Sequence, residues 1–346
     1  MKAYASIQAL AYALPEQILD NAELAQIFPE WTAEKIFEKT GIRQRHIAAV
    51  GETAADLAVQ AAKKLFAEPD ISPASIDYLL FCTQTPDYLL PSSACLIHQQ
   101  LGLTSACPAL DLNMGCSGYV YGLSVAKALV ESGMANNVLL LTGDTYTKLI
   151  AENDRSVRPL FGDAATATLI QAKPGELAAI SAFNMGTDGS GYEHLIVPQS
   201  GCRSMGCEDA AVFTDHAGNV RDASRLYMNG PEILKFTLQK IPGLCNETLE
   251  LGGLGWDSID MLILHQANRF LLEALRKKIG IATGRFLIEL EHVGNTVSSS
   301  IPLALAISIE KGWNAQHKTV LLAGFGVGYS WGACIIRFDQ KLIVKS

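Results

Sequence analysis

The chain lacks an excess of positive charge. Its 346 residues hold 27 Lys and Arg against 35 Asp and Glu, a formal net charge of −8. That excludes general nucleic-acid binding and leaves only local basic patches for an acidic partner. No apolar run reaches the roughly 18 residues that a membrane-crossing helix needs. The eight cysteines, at 82, 95, 107, 116, 202, 207, 245 and 334, follow no metal or disulfide spacing. Cys202 and Cys207 come closest, but no second Cys or His pair answers them, so zinc is not expected. They read as reduced thiols in a cytoplasmic protein. A secretory leader is not expected either. The apolar stretch Met1–Leu14 has only Lys2 as a basic residue, is broken by Gln8 and runs into Pro15-Glu16, so it reads as a first buried strand. A composition 49% hydrophobic and 18% charged excludes disorder and allows a large core.

The stretch that organises the rest is 110–124, Leu-Asp-Leu-Asn-Met-Gly-Cys-Ser-Gly-Tyr-Val-Tyr-Gly-Leu-Ser. Pro108 to Leu112 reads as the end of a buried strand, Gly115 as a turn, and Cys116 as standing at the mouth of a helix reaching Leu129. Unpaired N–H groups and the positive helix end there favour a thiolate. A free cysteine, with a pKa of about 8.5, needs such help to be a nucleophile near neutrality.

In chain order, strands are expected at 3–12, 78–83, 137–142 and 164–170. Helices are expected at 21–27, 33–39, 52–67 and 92–101, after the Cys turn, and from Pro231 to about Ile241. Thr40-Gly41 ends the second of these, and a basic patch, Ile42 to His46, follows. Residues 183–224 read as a long surface excursion with a hairpin around Gly189 and Gly191. The second half then repeats the first. Ser75-Ile76-Asp77-Tyr78-Leu79-Leu80 matches Ser258-Ile259-Asp260-Met261-Leu262-Ile263, and Val138-Leu139-Leu140 matches Val320-Leu321-Leu322. The turn around Cys116 finds its counterpart between Phe286 and Ile309, at Gly294-Asn295-Thr296. Two α/β units, 1–172 and 173–346, are expected to form two mixed sheets related by a pseudo-twofold axis.

His265 follows the apolar run 261–264 and precedes a helix, so it stands at a strand end, where α/β folds place chemistry. Asn295 opens a helix at a Gly turn. Taken singly, a His after a strand is more often structural, and Gly-Asn-Thr more often a turn with an N-cap. The repeat changes that weighing, because it puts Cys116 and Asn295 in equivalent loops facing one seam, with His265 between them.

On these residues the chain resembles the thiolase-superfamily condensing enzymes, and within them the β-ketoacyl-acyl-carrier-protein synthase III type. The motifs are Thr40 to Ile47, Pro91-Ser92-Ser93-Ala94-Cys95, Gly115-Cys116-Ser117-Gly118, Phe161-Gly162-Asp163, His265-Gln266-Ala267-Asn268, Gly294-Asn295-Thr296 and Gly324 to Gly332. The resemblance implies an αβαβα five-layer fold and a homodimer with no metal or cofactor. It implies catalysis by Cys116, His265 and Asn295, with acyl-CoA and malonyl-ACP as substrates. Cys116 would carry the acyl group, and His265 and Asn295 would hold the enolate left when a malonyl thioester loses CO2. Phe325, Gly326 and Val327 would form the oxyanion and acyl pocket, the Val327 N–H serving although the family has Gly there. Arg43, Arg155, Lys235, Gln266, Asn268, Arg269, Lys277 and Lys278 would bind coenzyme A or acidic carrier protein.

The chain departs from the family's pattern in two places. Lys35 stands where the family has its adenine-stacking Trp, and Trp31 lies ten residues before Gly41, which points to a different coenzyme A pose or a carrier-bound donor. Leu90 stands where the family often has Phe, which points to room for a longer or branched acyl chain. Two other readings remain open from sequence. One is acyl transfer to an alcohol or amine without decarboxylation. The other, a non-catalytic subunit, sits badly with the presence of all three site residues.

Overall fold

The computed structural model describes residues 3–175, 178–206, 209–215 and 220–346. Met1, Lys2 and Cys207, used in the sequence reading, lie outside them. The first sheet has six strands in the order Ile343–Lys345, Ala3–Ala13, Ala164–Pro174, Asn137–Asp144, Tyr78–Cys82, Ala109–Leu112. The second has four, Met261–Leu264, Lys318–Gly326, Ser330–Phe338 and Ile180–Thr187. Their pairings match. Tyr78–Cys82 and Met261–Leu264 each run parallel to the next strand, and two antiparallel pairings follow in each sheet. Phe286 bridges Leu262 in parallel, in the place that Ala109–Leu112 takes beside Tyr78–Cys82. The C-terminal strand crosses back to pair with Ala3–Ala13 of the first sheet.

Side-chain alternation along the central strands divides the core into layers. Leu80, Val138, Leu140, Ile263, Val320 and Leu322 point inward to one shared core. Helices Gly118–Glu131 and Ser300–Glu310 fill it, and the second is apolar on nearly every side because sheets cover it on both faces. Leu79, Phe81, Leu139 and Leu141 point outward under helices Ala54–Phe66 and Ser93–Leu101. Leu262, Leu264, Leu321 and Ala323 point outward under helices Gly230–Leu251 and Arg269–Ile279. The result is the thiolase-like αβαβα sandwich. Its strands read as continuous apolar runs because both faces of each sheet are covered.

Three expectations about the elements needed correction. No hairpin forms around Gly189 and Gly191. A 3-10 helix, Gly189–His194, stands there, and an antiparallel strand pair lies further on, Val212–Thr214 against Val220–Asp222. Residues up to Thr187 belong to the edge strand of the second sheet, not to the excursion. The helix expected to stop near Ile241 runs through Pro242 to Leu251. A proline inside a helix costs about 3 kcal/mol. Burial of Leu244, Cys245 and Leu249 on the second sheet's outer face carries the helix past it.

Candidate active site

Cys116, His265 and Asn295 line one cavity of about 170 Å³, with Phe325, Gly326, Asn268 and an apolar wall that includes Phe161, Leu195 and Phe270. Three distant segments meet there, and each is held by local contacts.

Cys116 sits in the turn between strand Ala109–Leu112 and helix Gly118–Glu131, with the Gly118 N–H donating to the Gly115 carbonyl at 2.7 Å. The end of strand Lys318–Gly326 presses on this turn. A β-carbon on Gly326 would lie 2.9 Å from the Cys116 sulfur, so no larger residue fits. A hydroxyl pair, Ser117 to Ser330 at 2.7 Å, fastens the same contact. The thiol is 4% exposed. Burial, and then the Asp144 carboxylate, push it up to about 12, while the backbone N–H groups of Val327 and of Cys116 pull it back. The helix end therefore does not deliver a resting thiolate, because desolvation outweighs it.

His265 follows strand Met261–Leu264, and its N–H donates to the Ala323 carbonyl at 2.9 Å. It is 2% exposed, and its ring stands edge-on to Phe325. Nδ1 lies 2.7 Å from the Ser300 hydroxyl. Burial drops its pKa to about 3, the Val297 carbonyl acting the other way, so the ring is neutral.

Asn295 is placed by backbone pairing with the Phe161 segment: its N–H donates to the Leu160 carbonyl at 2.8 Å and its carbonyl accepts from the Gly162 N–H at 3.0 Å. Gly294 must be glycine, since it has φ +72° and a β-carbon would lie 2.9 Å from the Leu160 carbonyl. The Val297 N–H donates to Asn295 Oδ1 at 3.0 Å, which turns Nδ2 into the free end of the carboxamide. Val297 itself is buried with φ +52°, a conformation costing a β-branched residue about 1–3 kcal/mol.

The arginine and aspartate motifs serve this loop from behind. Arg45 is fully buried and donates to the Leu19 and Pro159 carbonyls and to Asn21 Oδ1. Asp163 accepts from the Ala48 and Thr147 N–H groups. Together they hold the segment that carries Phe161.

Asn268 reaches the cavity wall, and its Oδ1 caps helix Arg269–Ile279 by accepting from the Leu271 N–H. The other expected binding residues lie outside the cavity. Gln266 is 1% exposed, donates to the Leu264 carbonyl and accepts from the Glu289 N–H, so it ties chain segments together and offers nothing to a ligand. Arg43 and Arg269 share Glu291, at 2.6 and 3.1 Å. Lys235 pairs with Glu232, and Lys277 and Lys278 are exposed on the last turn of their helix. Arg155 pairs with Glu30 at 2.7 Å on a separate cavity of about 620 Å³. Leu90 is 83% exposed, because its loop carries it outward with Tyr88 and Leu89, and it does not line the cavity. Val327 packs its side chain beside Gly115.

Two groups at the site escaped the sequence reading. Asp144, at the end of a buried apolar strand, accepts from the Gln84 and Ser298 N–H groups, and burial pushes it up to about 7. Ser300, in the run Ser298-Ser299-Ser300, contacts His265. A carboxylate ending an apolar strand and a triple serine before an apolar helix were the available signals.

At rest the cavity holds three neutral groups: a thiol, an imidazole and a carboxamide. It can bind an acyl chain by burial and offer N–H donors to a developing oxyanion.

The chain matches the family described as 3-oxoacyl-(acyl-carrier-protein) synthase III over residues 110–189, and that family's C-terminal part over residues 249–338. A β-ketoacyl-(acyl-carrier-protein) synthase III of Oleidesulfovibrio alaskensis is 37% identical over 325 residues, covering 93% of this chain and 96% of the relative. The Neisseria gonorrhoeae protein of the same name is 34% identical, covering 97% and 99%. A crystal structure of a 3-oxoacyl-(acyl-carrier-protein) synthase III superposes with a TM-score of 0.94 at 51% identity, covering 97% of this chain and 100% of that one. The Pseudomonas aeruginosa enzyme superposes at 0.85 and 30% identity, covering 98% and 99%. The chain thus shares sequence and fold with one set of enzymes over nearly its whole length, and it belongs to the β-ketoacyl-(acyl-carrier-protein) synthase III family.

Proposed function

We propose that this protein is a condensing acyltransferase of the β-ketoacyl-ACP synthase III type, acting in fatty acid or specialised lipid synthesis. The observation that carries the roles is the meeting of Cys116, His265 and Asn295 in one apolar cavity, with the last two neutral and able to donate. Cys116 attacks an acyl-CoA thioester. The new thioester forms on its sulfur, the bond to the coenzyme breaks, and the thiol proton ends on the departing coenzyme A sulfur. Malonyl-ACP then enters and its C–CO2 bond breaks. The electron pair becomes an enolate whose oxygen accepts from His265 Nε2–H and Asn295 Nδ2–H. The enolate carbon attacks the acyl carbonyl, whose oxygen is held by the Cys116 and Val327 N–H groups at the Gly326 strand end. Collapse frees β-ketoacyl-ACP, and the Cys116 thiolate takes up one proton.

The halves 1–172 and 173–346 supply the nucleophile and the two donors respectively. The protein works as a cytoplasmic homodimer without metal or cofactor. The exposed Tyr88, Leu89 and Leu90 support an apolar face covered by a second copy. Asn268, at the cavity wall, is the best-placed contact for the pantetheine arm, and the exposed Lys235, Lys277 and Lys278 suit acidic carrier protein.

Incubation with acyl-CoA and malonyl-carrier protein is expected to release CO2 and a β-ketoacyl product. Acyl transfer without CO2 would overturn the condensation and favour an alcohol or amine acceptor. Intact mass should show an acyl adduct that is absent in Cys116→Ala.

A further inference from the structure

His265 Nδ1 lies 2.7 Å from the Ser300 hydroxyl, a contact that the reaction scheme leaves unused. Ser300 opens the central helix Ser300–Glu310 and is 2% exposed. Among the described residues, its oxygen has one other hydrogen-bond neighbour, the Gln266 backbone N–H at 3.4 Å. An amide only donates, so that contact occupies a lone pair of the hydroxyl. The hydroxyl proton then has a single acceptor in reach, Nδ1. The Val297 carbonyl also faces the ring, but a carbonyl has no proton to give it.

Two arrangements are open to a neutral imidazole. With the proton on Nε2, Ser300 accepts from Gln266 and donates to Nδ1, so the hydroxyl proton and Nδ1 are both paired. With the proton on Nδ1, Ser300 accepts twice and its own proton is buried without a partner. An unpaired buried donor of that kind disfavours its state by about tenfold or more.

We propose that Ser300 is a positioning residue that holds His265 as the Nε2–H tautomer, aiming an N–H donor at the enolate oxygen of the decarboxylating malonyl thioester. The inference rests on the condensing function proposed above. It adds what that function requires of a neutral histidine, since the other tautomer would present a lone pair to a developing negative charge.

The test uses the full chain labelled with 15N-histidine, with His265 assigned by difference against His265→Gln among the seven histidines. Two-bond 1H–15N spectra are expected to show Nε2 protonated and Nδ1 as an acceptor. In Ser300→Ala the pattern should move toward a mixture of tautomers. Decarboxylation of the malonyl thioester should fall about tenfold or more, with acyl loading of Cys116 unchanged, and Ser300→Thr should restore both spectrum and rate. An Nδ1–H pattern in the unmodified protein overturns the proposal. So does Ser300→Ala with unaltered tautomer and decarboxylation. If Ser300→Ala does not fold, the unmodified spectrum and Ser300→Thr still decide. If the unmodified protein neither loads acyl groups nor releases CO2, the condensing function fails, and the spectrum judges the tautomer on its own.

Discussion

The two halves of the molecule put different residues at the same strand ends. The pairs Tyr78–Val138 and Met261–Val320 mark equivalent points in the two sheets. Four residues on from Tyr78 and Met261 come Cys82 and His265. Six residues on from Val138 and Val320 come Asp144 and Gly326. In the first half both positions are sealed. Cys82 donates to the Met114 carbonyl, and a β-carbon on Gly118 would strike its sulfur. Asp144 is spent on backbone donors. In the second half both positions open on the cavity, His265 with its imidazole and Gly326 as the gap that admits Cys116. At these two strand ends one architecture therefore gives sealed supports in the first half and cavity-lining groups in the second. The choice is made by a few residues at strand ends, not by the topology.

Removing the nucleophile tests this comparison most severely. Cys116→Ala should lower condensation by roughly 10⁴-fold or more, measured as β-ketoacyl product, whereas Cys82→Ala in the sealed half should keep the acyl adduct. The next largest effect belongs to the donors. His265→Ala and Asn295→Ala should each slow decarboxylation by about 10²–10³-fold while mass spectrometry still finds acylated Cys116. Equal loss of both half-reactions in both variants contradicts the division of labour. Gly326→Ala should displace the sulfur and cost on the order of 10²-fold in loading rate. The smallest effect concerns charge. Because the thiol is raised to about 12, only a small fraction is thiolate at neutrality. Alkylation of Cys116 by iodoacetamide should therefore rise roughly tenfold for each pH unit between 7 and 9. Asp144→Asn removes a negative neighbour, so it should lower the thiol pKa and speed alkylation at fixed pH. An unchanged rate would mean that burial alone sets the value.

The sequence determined the layers, because strands buried on both faces must be apolar throughout and the pattern recurs in both halves. It also singled out Cys116, His265 and Asn295 as candidates, at Gly turns and a strand end that can be read locally, and the fold brings the three to one cavity. It did not reveal the route of helix Gly230–Leu251 past Pro242, where local propensity argued for a stop and burial against the sheet prevailed. Nor did it reveal the charge states. A helix mouth favours a thiolate and an exposed histidine titrates near neutrality, yet both groups are held neutral here. Desolvation depends on what the rest of the chain packs around a group. For the same reason Gln266, Arg43 and Arg269, polar in sequence and suited to a ligand, are engaged by neighbours that only the fold brings near. Residue type and local spacing fixed which chemistry was possible, and the packing of distant segments fixed which protons the site holds.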